Sequence, residues 1–104
     1  MNPVPFDQFN DKVKAMVISA CDMKNVTVGE INDDEMMING ALPLDSLDAL
    51  EIVTKIKEHF HIKVENASTA HKLFRSFRSL SGFLHEKADP NLINRFMSIE
   101  FKEI

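Results

Sequence analysis

The sequence predicts an all-α bundle, and three observations predict it. Two stretches repeat apolar residues every three or four positions: Phe6, Phe9, Val13, Met16, Val17 and Ala20 in one, and Leu47, Leu50, Val53, Ile56 and Phe60 in the other. Such spacing lines one side of a helix and calls for burial of that side. Three glycines and four prolines in 104 residues are too few for a turn-rich sandwich. Phe60, Ile62 and Val64 alternate as in a strand, but a lone short strand has nothing to pair with, so they are read as an extended connector.

A chain of this length forms one domain with a single modest core. No apolar run is long enough to cross a bilayer, and Met1-Asn2-Pro3-Val4-Pro5 lacks the basic and apolar blocks of a secretion signal, which predicts a cytoplasmic protein. A monomer is the default for so small a bundle. Cys21 is the only cysteine, so no internal disulfide or cysteine metal cluster is expected, and its place near the apolar face of a helix suits a small buried hydrophobe. His59, His61, His71 and His85 lack cysteine or carboxylate company at a ligand spacing, so no metal site is expected. The net charge of −4 is unevenly spread: residues 22 to 51 hold eight acids and one base, residues 52 to 104 six acids and nine bases. An acidic field around the middle of the chain steers basic partners and disfavours nucleic acid there.

In chain order, the first helix spans Pro5 to Asp22, with Asp7 and Asp11 where acids suit the helix dipole. Residues 23 to 44 carry Asn25, Gly29, Asn32, Asp33, Asp34, Asn39, Gly40 and Pro43 and form a long loop. Val26, Val28, Ile31, Met36, Met37, Ile38 and Leu42 pin it to the core, with a short helical turn near Asp33 to Met37. The methionine pair suits either plain anchoring or a flexible gate. A helix follows from about Asp45 to His59, then a short one within Glu65 to Ser76 that turns Leu73, Phe74 and Phe77 inward. Ser79 is the expected cap of a further helix that buries Leu80, Phe83 and Leu84 and turns His85, Glu86 and Lys87 to water. Lys72, Arg75 and Arg78 form a small basic cluster, read as a solvated face. Residues 91 to 104 place Leu92, Ile93, Phe96, Met97, Phe101 and Ile104 at amphipathic spacing; a helix that short must dock or fray. The expected division is a bundle over 1–87 and an extension over 88–104.

The segment Leu42-Pro43-Leu44-Asp45-Ser46-Leu47-Asp48 opens the helix that organises the rest. Pro43 stops any preceding helix, and Asp45 is a residue type that caps a first turn. Ser46 then falls in that turn, on a polar corner outside the apolar stripe. Taken alone, a serine beside an aspartate before an apolar run is simply a helix start.

With its flanks, the run LPLDSLDALEIVTKIKEHFHIKV resembles the central segment of the acyl carrier proteins, through Asp45-Ser46-Leu47, Glu51 and the stretch Glu58 to Val64. Similarity covers residues 6 to 87 and is specific from Leu42 to Val64. The resemblance implies a four-helix bundle of three longer helices and one short, with a long loop after the first helix and here an extra C-terminal helix. It implies that Ser46 carries a 4′-phosphopantetheine arm, donated by coenzyme A through a pantetheinyl transferase. Acyl groups would ride on the arm as thioesters, presented to partner enzymes of fatty acid, lipid or related acyl-chain biosynthesis. Asp45, Leu47, Asp48, Leu50, Glu51 and Glu58 would meet basic docking surfaces, and the chain itself would catalyse nothing. The helix start also offers free amides and a positive dipole end to the phosphodiester.

Pro43 stands where the family usually has glycine, Ala41 where an acid is common, and Lys55 and Lys57 interrupt the acidic face. With the C-terminal extension, these departures suggest a specialised carrier. Two alternatives are an unmodified carrier-like module that binds a basic partner through the acidic helix face, and a small hydrolase or transferase with Ser46 as nucleophile. No histidine lies within ten residues of Ser46, which disfavours the second.

Overall fold

A computed structural model describes residues 4–101. It holds five α-helices: α1 (Phe6–Ala20), α2 (Ser46–Phe60), α3 (Ala67–Leu73), α4 (Phe77–Lys87) and α5 (Pro90–Met97), with a 3₁₀ turn at Val28–Glu30. No strand occurs among the described residues, and Ile62 and Val64 cross between α2 and α3 half-buried against the core. α1 packs along α4 and touches α2 and the 3₁₀ turn; α3 lies against α4, and α5 against α2. Among the described residues, no helix is long and apolar enough to cross a membrane.

Aromatic residues from three helices meet at one end of the core. Phe9 of α1, Phe60 of α2 and Phe96 of α5 are all buried, with ring centroids 4.7 to 6.0 Å apart, a separation at which aromatic pairs attract. α5 therefore docks, through Ile93 and Phe96, on the same core as the preceding helices. Asp89 caps it, Pro90 takes its first position, and it ends at Met97. Phe101 continues past the helix and packs against His59 and Phe96, whereas Ile104 lies outside the described residues.

Several expectations are corrected. In α2 the buried face is Ile52, Ile56 and Phe60, with Ala49 and Val53 beside them, while Leu47 and Leu50 are 74% and 65% exposed. Each of these leucines lies two positions before an inward residue, roughly 200° around the helix, so the predicted stripe and the real one coincide only from Val53 onward. The cap of α4 is Ser76, whose hydroxyl accepts from the Ser79 amide; Ser79 is already inside the helix. His85 is half-buried, its ring edge-on to Phe6 and its Nε2 2.7 Å from the Val4 carbonyl oxygen. The helical turn of the long loop lies at Val28–Glu30, closed by a Thr27 and Glu30 capping box, and residues 32–35 form only a hydrogen-bonded turn.

A polar network missed in the sequence clamps that loop to the bundle. Lys14, almost fully buried on α1, is ion-paired with Asp33 and donates to the Ile31 carbonyl. Asn10 donates to Asp33 at 2.9 Å and accepts from Ser81 of α4 at 2.6 Å. Arg78, placed in a solvated cluster by its sequence neighbours, instead pairs with Asp33 and Asp34. Every buried polar group so joined is satisfied, as burial away from water requires.

Candidate functional site

The site is built where the long loop turns into α2. Leu44 is buried and anchors the residue before the cap, its carbonyl accepting from the Asn39 amide at 2.9 Å. Asn39 holds a left-handed backbone with φ of 58°. Next to it, a β-carbon on Gly40 would stand 2.5 Å from the Met36 carbonyl oxygen, so only glycine lets the loop fold back this tightly. Asp45 then caps α2: its Oδ1 accepts from the Leu47 and Asp48 amides at 3.0 and 3.2 Å, and the Asp48 carboxylate accepts from the Asp45 amide at 2.9 Å. This reciprocal box fixes the first turn.

Ser46 is the first residue of α2 and is exposed. Its hydroxyl makes no hydrogen bond among the described residues, so nothing in the fold occupies it. The helix-start amides expected to face an anion are in part already bonded, because Asp45 takes those of Leu47 and Asp48. With the Asp45 amide held by Asp48, three donors of that helix start are taken from within.

Ser46 also borders a cavity of about 620 Å³, within the size range of small-molecule sites. Its apolar lining is Met36, Ile38, Ala49, Ala67, Ala70 and Phe74, and across from α2 stand the exposed His71, Lys72 and Arg75 of α3 and its C-terminal end. The methionine pair divides its roles: Met37 is fully buried and anchors the loop, while Met36 is 58% exposed and forms a wall of the cavity. His71 shares the cavity with Ser46, yet no hydrogen bond or ion pair of His71 occurs among the described residues, so no Ser-His-acid relay is assembled.

Asp45, Leu47, Leu50 and Glu51 are exposed and Asp48 half-buried, all on the first two turns of α2. Glu58 stands apart, two turns further on and paired with Lys55 at 3.3 Å. Glu51 and Glu58 line a second, more polar cavity of about 340 Å³ together with Met16, Lys55, His59 and Phe101. There His59 has its pKa lowered, chiefly by burial. Cys21 lies close to the other side of the α2 start, 3.9 Å from the Asp48 carbonyl oxygen, and its pKa is pushed up to about 12 by burial and by the charges of Asp48 and Glu51. The thiol stays protonated at neutral pH, which matches a packing role. Among the described residues, no group of three histidine, cysteine or acidic side chains is placed to hold a metal ion.

Compared with protein-family models, curated proteins and solved structures, the chain matches none. The motif pointed to Ser46 directly, but the opposite wall of the cavity was not foreseeable: Ala67 to Arg75 lie more than twenty residues away, and only packing brings them across from α2.

Proposed function

We propose that the chain is a specialised, cytoplasmic acyl carrier protein that bears 4′-phosphopantetheine on Ser46. One observation supports this reading above the others: an exposed, unbonded serine hydroxyl at the first position of a capped helix opens beside an apolar groove of about 620 Å³. In attachment the Ser46 oxygen bonds phosphorus, a phosphoanhydride bond of coenzyme A breaks, the nucleotide half leaves, and the hydroxyl proton passes to the transferase. Ser46 needs no base of its own, because the transferase would activate it. The arm supplies a terminal thiol that holds acyl groups as thioesters, and the groove offers an acyl chain cover from water. Asp45, Leu47, Asp48, Leu50 and Glu51 form a compact docking face beside Ser46 for basic transferase and acyl-enzyme surfaces, with Glu58 at its far edge. Exposed Leu47 and Leu50 supply the apolar anchors such a face needs.

The same two leucines favour a second reading, an interaction module that docks through this face without modification. Intact mass after incubation with coenzyme A and a broad-acting pantetheinyl transferase separates the two. The carrier reading expects one arm per chain and none on Ser46→Ala. It also expects one rapidly alkylated thiol after loading and none before, since the shielded Cys21 reacts slowly. A wild-type protein that gains no mass would establish the unmodified module.

A further inference from the structure

The charged residues that line the groove are the bases Lys72 and Arg75, whereas Ser46 opens into it from the acidic start of α2. Asp45 and Asp48 flank Ser46, and their hydrogen bonds already fill the amides of Asp45, Leu47 and Asp48. A phosphodiester on Ser46 thus adds a negative charge next to two carboxylates, with three of the helix-start donors withdrawn. Basic side chains that can balance it line the groove. Lys72 and Arg75 line the same cavity from the opposite side, are exposed, and enter no ion pair among the described residues. Arg78, the third member of the basic cluster, differs from them: it is held by Asp33 and Asp34 and keeps the loop in place.

We infer that Lys72 and Arg75 are the anion-binding residues of the groove, and that they draw the phosphodiester of a Ser46-linked arm across it so that the arm lies along Met36, Ala70 and Phe74. The inference rests on the carrier reading and adds to it: the arm is held down by charge between deliveries. A basic residue pair suits a phosphodiester oxygen through charge-assisted hydrogen bonds, and the arginine fork offers two at once. A partner that docks on the acidic face of α2 with its own cations would compete for that phosphate, which couples docking to release of the arm.

The test compares apo and loaded protein by intact mass and by amide and arginine side-chain NMR, in wild type and in a Lys72→Gln/Arg75→Gln double variant, with Arg95→Gln as a surface control. Because neither side chain is paired, the double variant is expected to keep the wild-type fold and melting temperature and to gain the arm. Loading wild type or the control should shift the Arg75 Nε resonance and the amides of Met36, Ala70 and Phe74, and 0.5 M salt should reduce those shifts. In the double variant the Met36, Ala70 and Phe74 shifts should be lost while those of Asp45 and Leu47 remain. Loading confirmed by mass but confined in its effects to residues 45 to 48 overturns the inference and leaves the carrier reading intact. Failure of wild type to load overturns both.

Discussion

On the carrier reading, Ser46 and its neighbour Asp45 divide chemistry from stability at adjacent positions. The Ser46 hydroxyl bonds to nothing in the fold, so Ser46→Ala is expected to change stability by no more than about 0.5 kcal/mol, as for an ordinary surface site. Asp45→Ala removes the acceptor of two helix-start amides and should cost about 1 kcal/mol. Chemical denaturation of the two variants, with intact mass after loading, checks the division: Ser46→Ala stable but unloadable, Asp45→Ala loadable but weaker. Equal destabilisation by both would mean that Ser46 has a structural partner after all. Gly40 belongs at this scale too, since the Met36 wall of the groove exists only because no side chain stands there.

Among the elements, α5 is the informative one. Its apolar residues were legible as a helix, but their spacing named no partner surface; the partner is the ring cluster of Phe9 and Phe60, closed by Phe96. Phe96→Ala should therefore destabilise the whole protein by about 3 to 5 kcal/mol in a single cooperative transition. A loss below about 1 kcal/mol, or early melting of α5 alone, would show that the helix is an accessory lying on a finished core. α2 teaches the complementary lesson. Its helical character and its cap were readable from Asp45 and the apolar period, yet its rotation was not. The difference between facing Leu47 inward and facing Ala49 and Ile52 inward is decided by which neighbours fill the space, and those come from α1 and α5. Turning the leucines outward is also what leaves two large exposed apolar side chains beside Ser46.

For the molecule as a whole, the clamp of Lys14, Asn10, Asp33, Ser81 and Arg78 is what makes a long loop part of a rigid scaffold. It joins α1, the loop and α4 across up to 71 residues of sequence. Asp33→Asn leaves the buried Lys14 ammonium without its counter-charge and should cost about 3 kcal/mol, the lower end for a broken buried pair because Asp33 itself is partly exposed. The same pair sets a pH dependence. The hydrogen bond from Lys14, with one from Asn10, outweighs burial and holds the Asp33 carboxyl below its ordinary range. The folded state thus binds its proton later than the unfolded chain as pH falls. This stabilisation is complete above the unfolded carboxylate pKa of about 3.9 and disappears as pH drops through the lower folded value. Denaturation midpoints measured from pH 6 to pH 2 should fall more steeply for wild type than for Asp33→Asn, and parallel curves would remove Asp33 from the account.

The sequence by itself determined the helical class, the start of α2, the cap at Asp45 and the position of Ser46 in the first turn, because these depend on periodicity and on contacts between near neighbours in the chain. The tertiary structure alone decided which face of α2 is buried, where α5 docks, and that the basic end of α3 stands across a groove from Ser46. Those outcomes turn on packing and charge between segments far apart in the chain, as Phe9 and Phe96 are, and no local pattern records which distant surface a residue will meet.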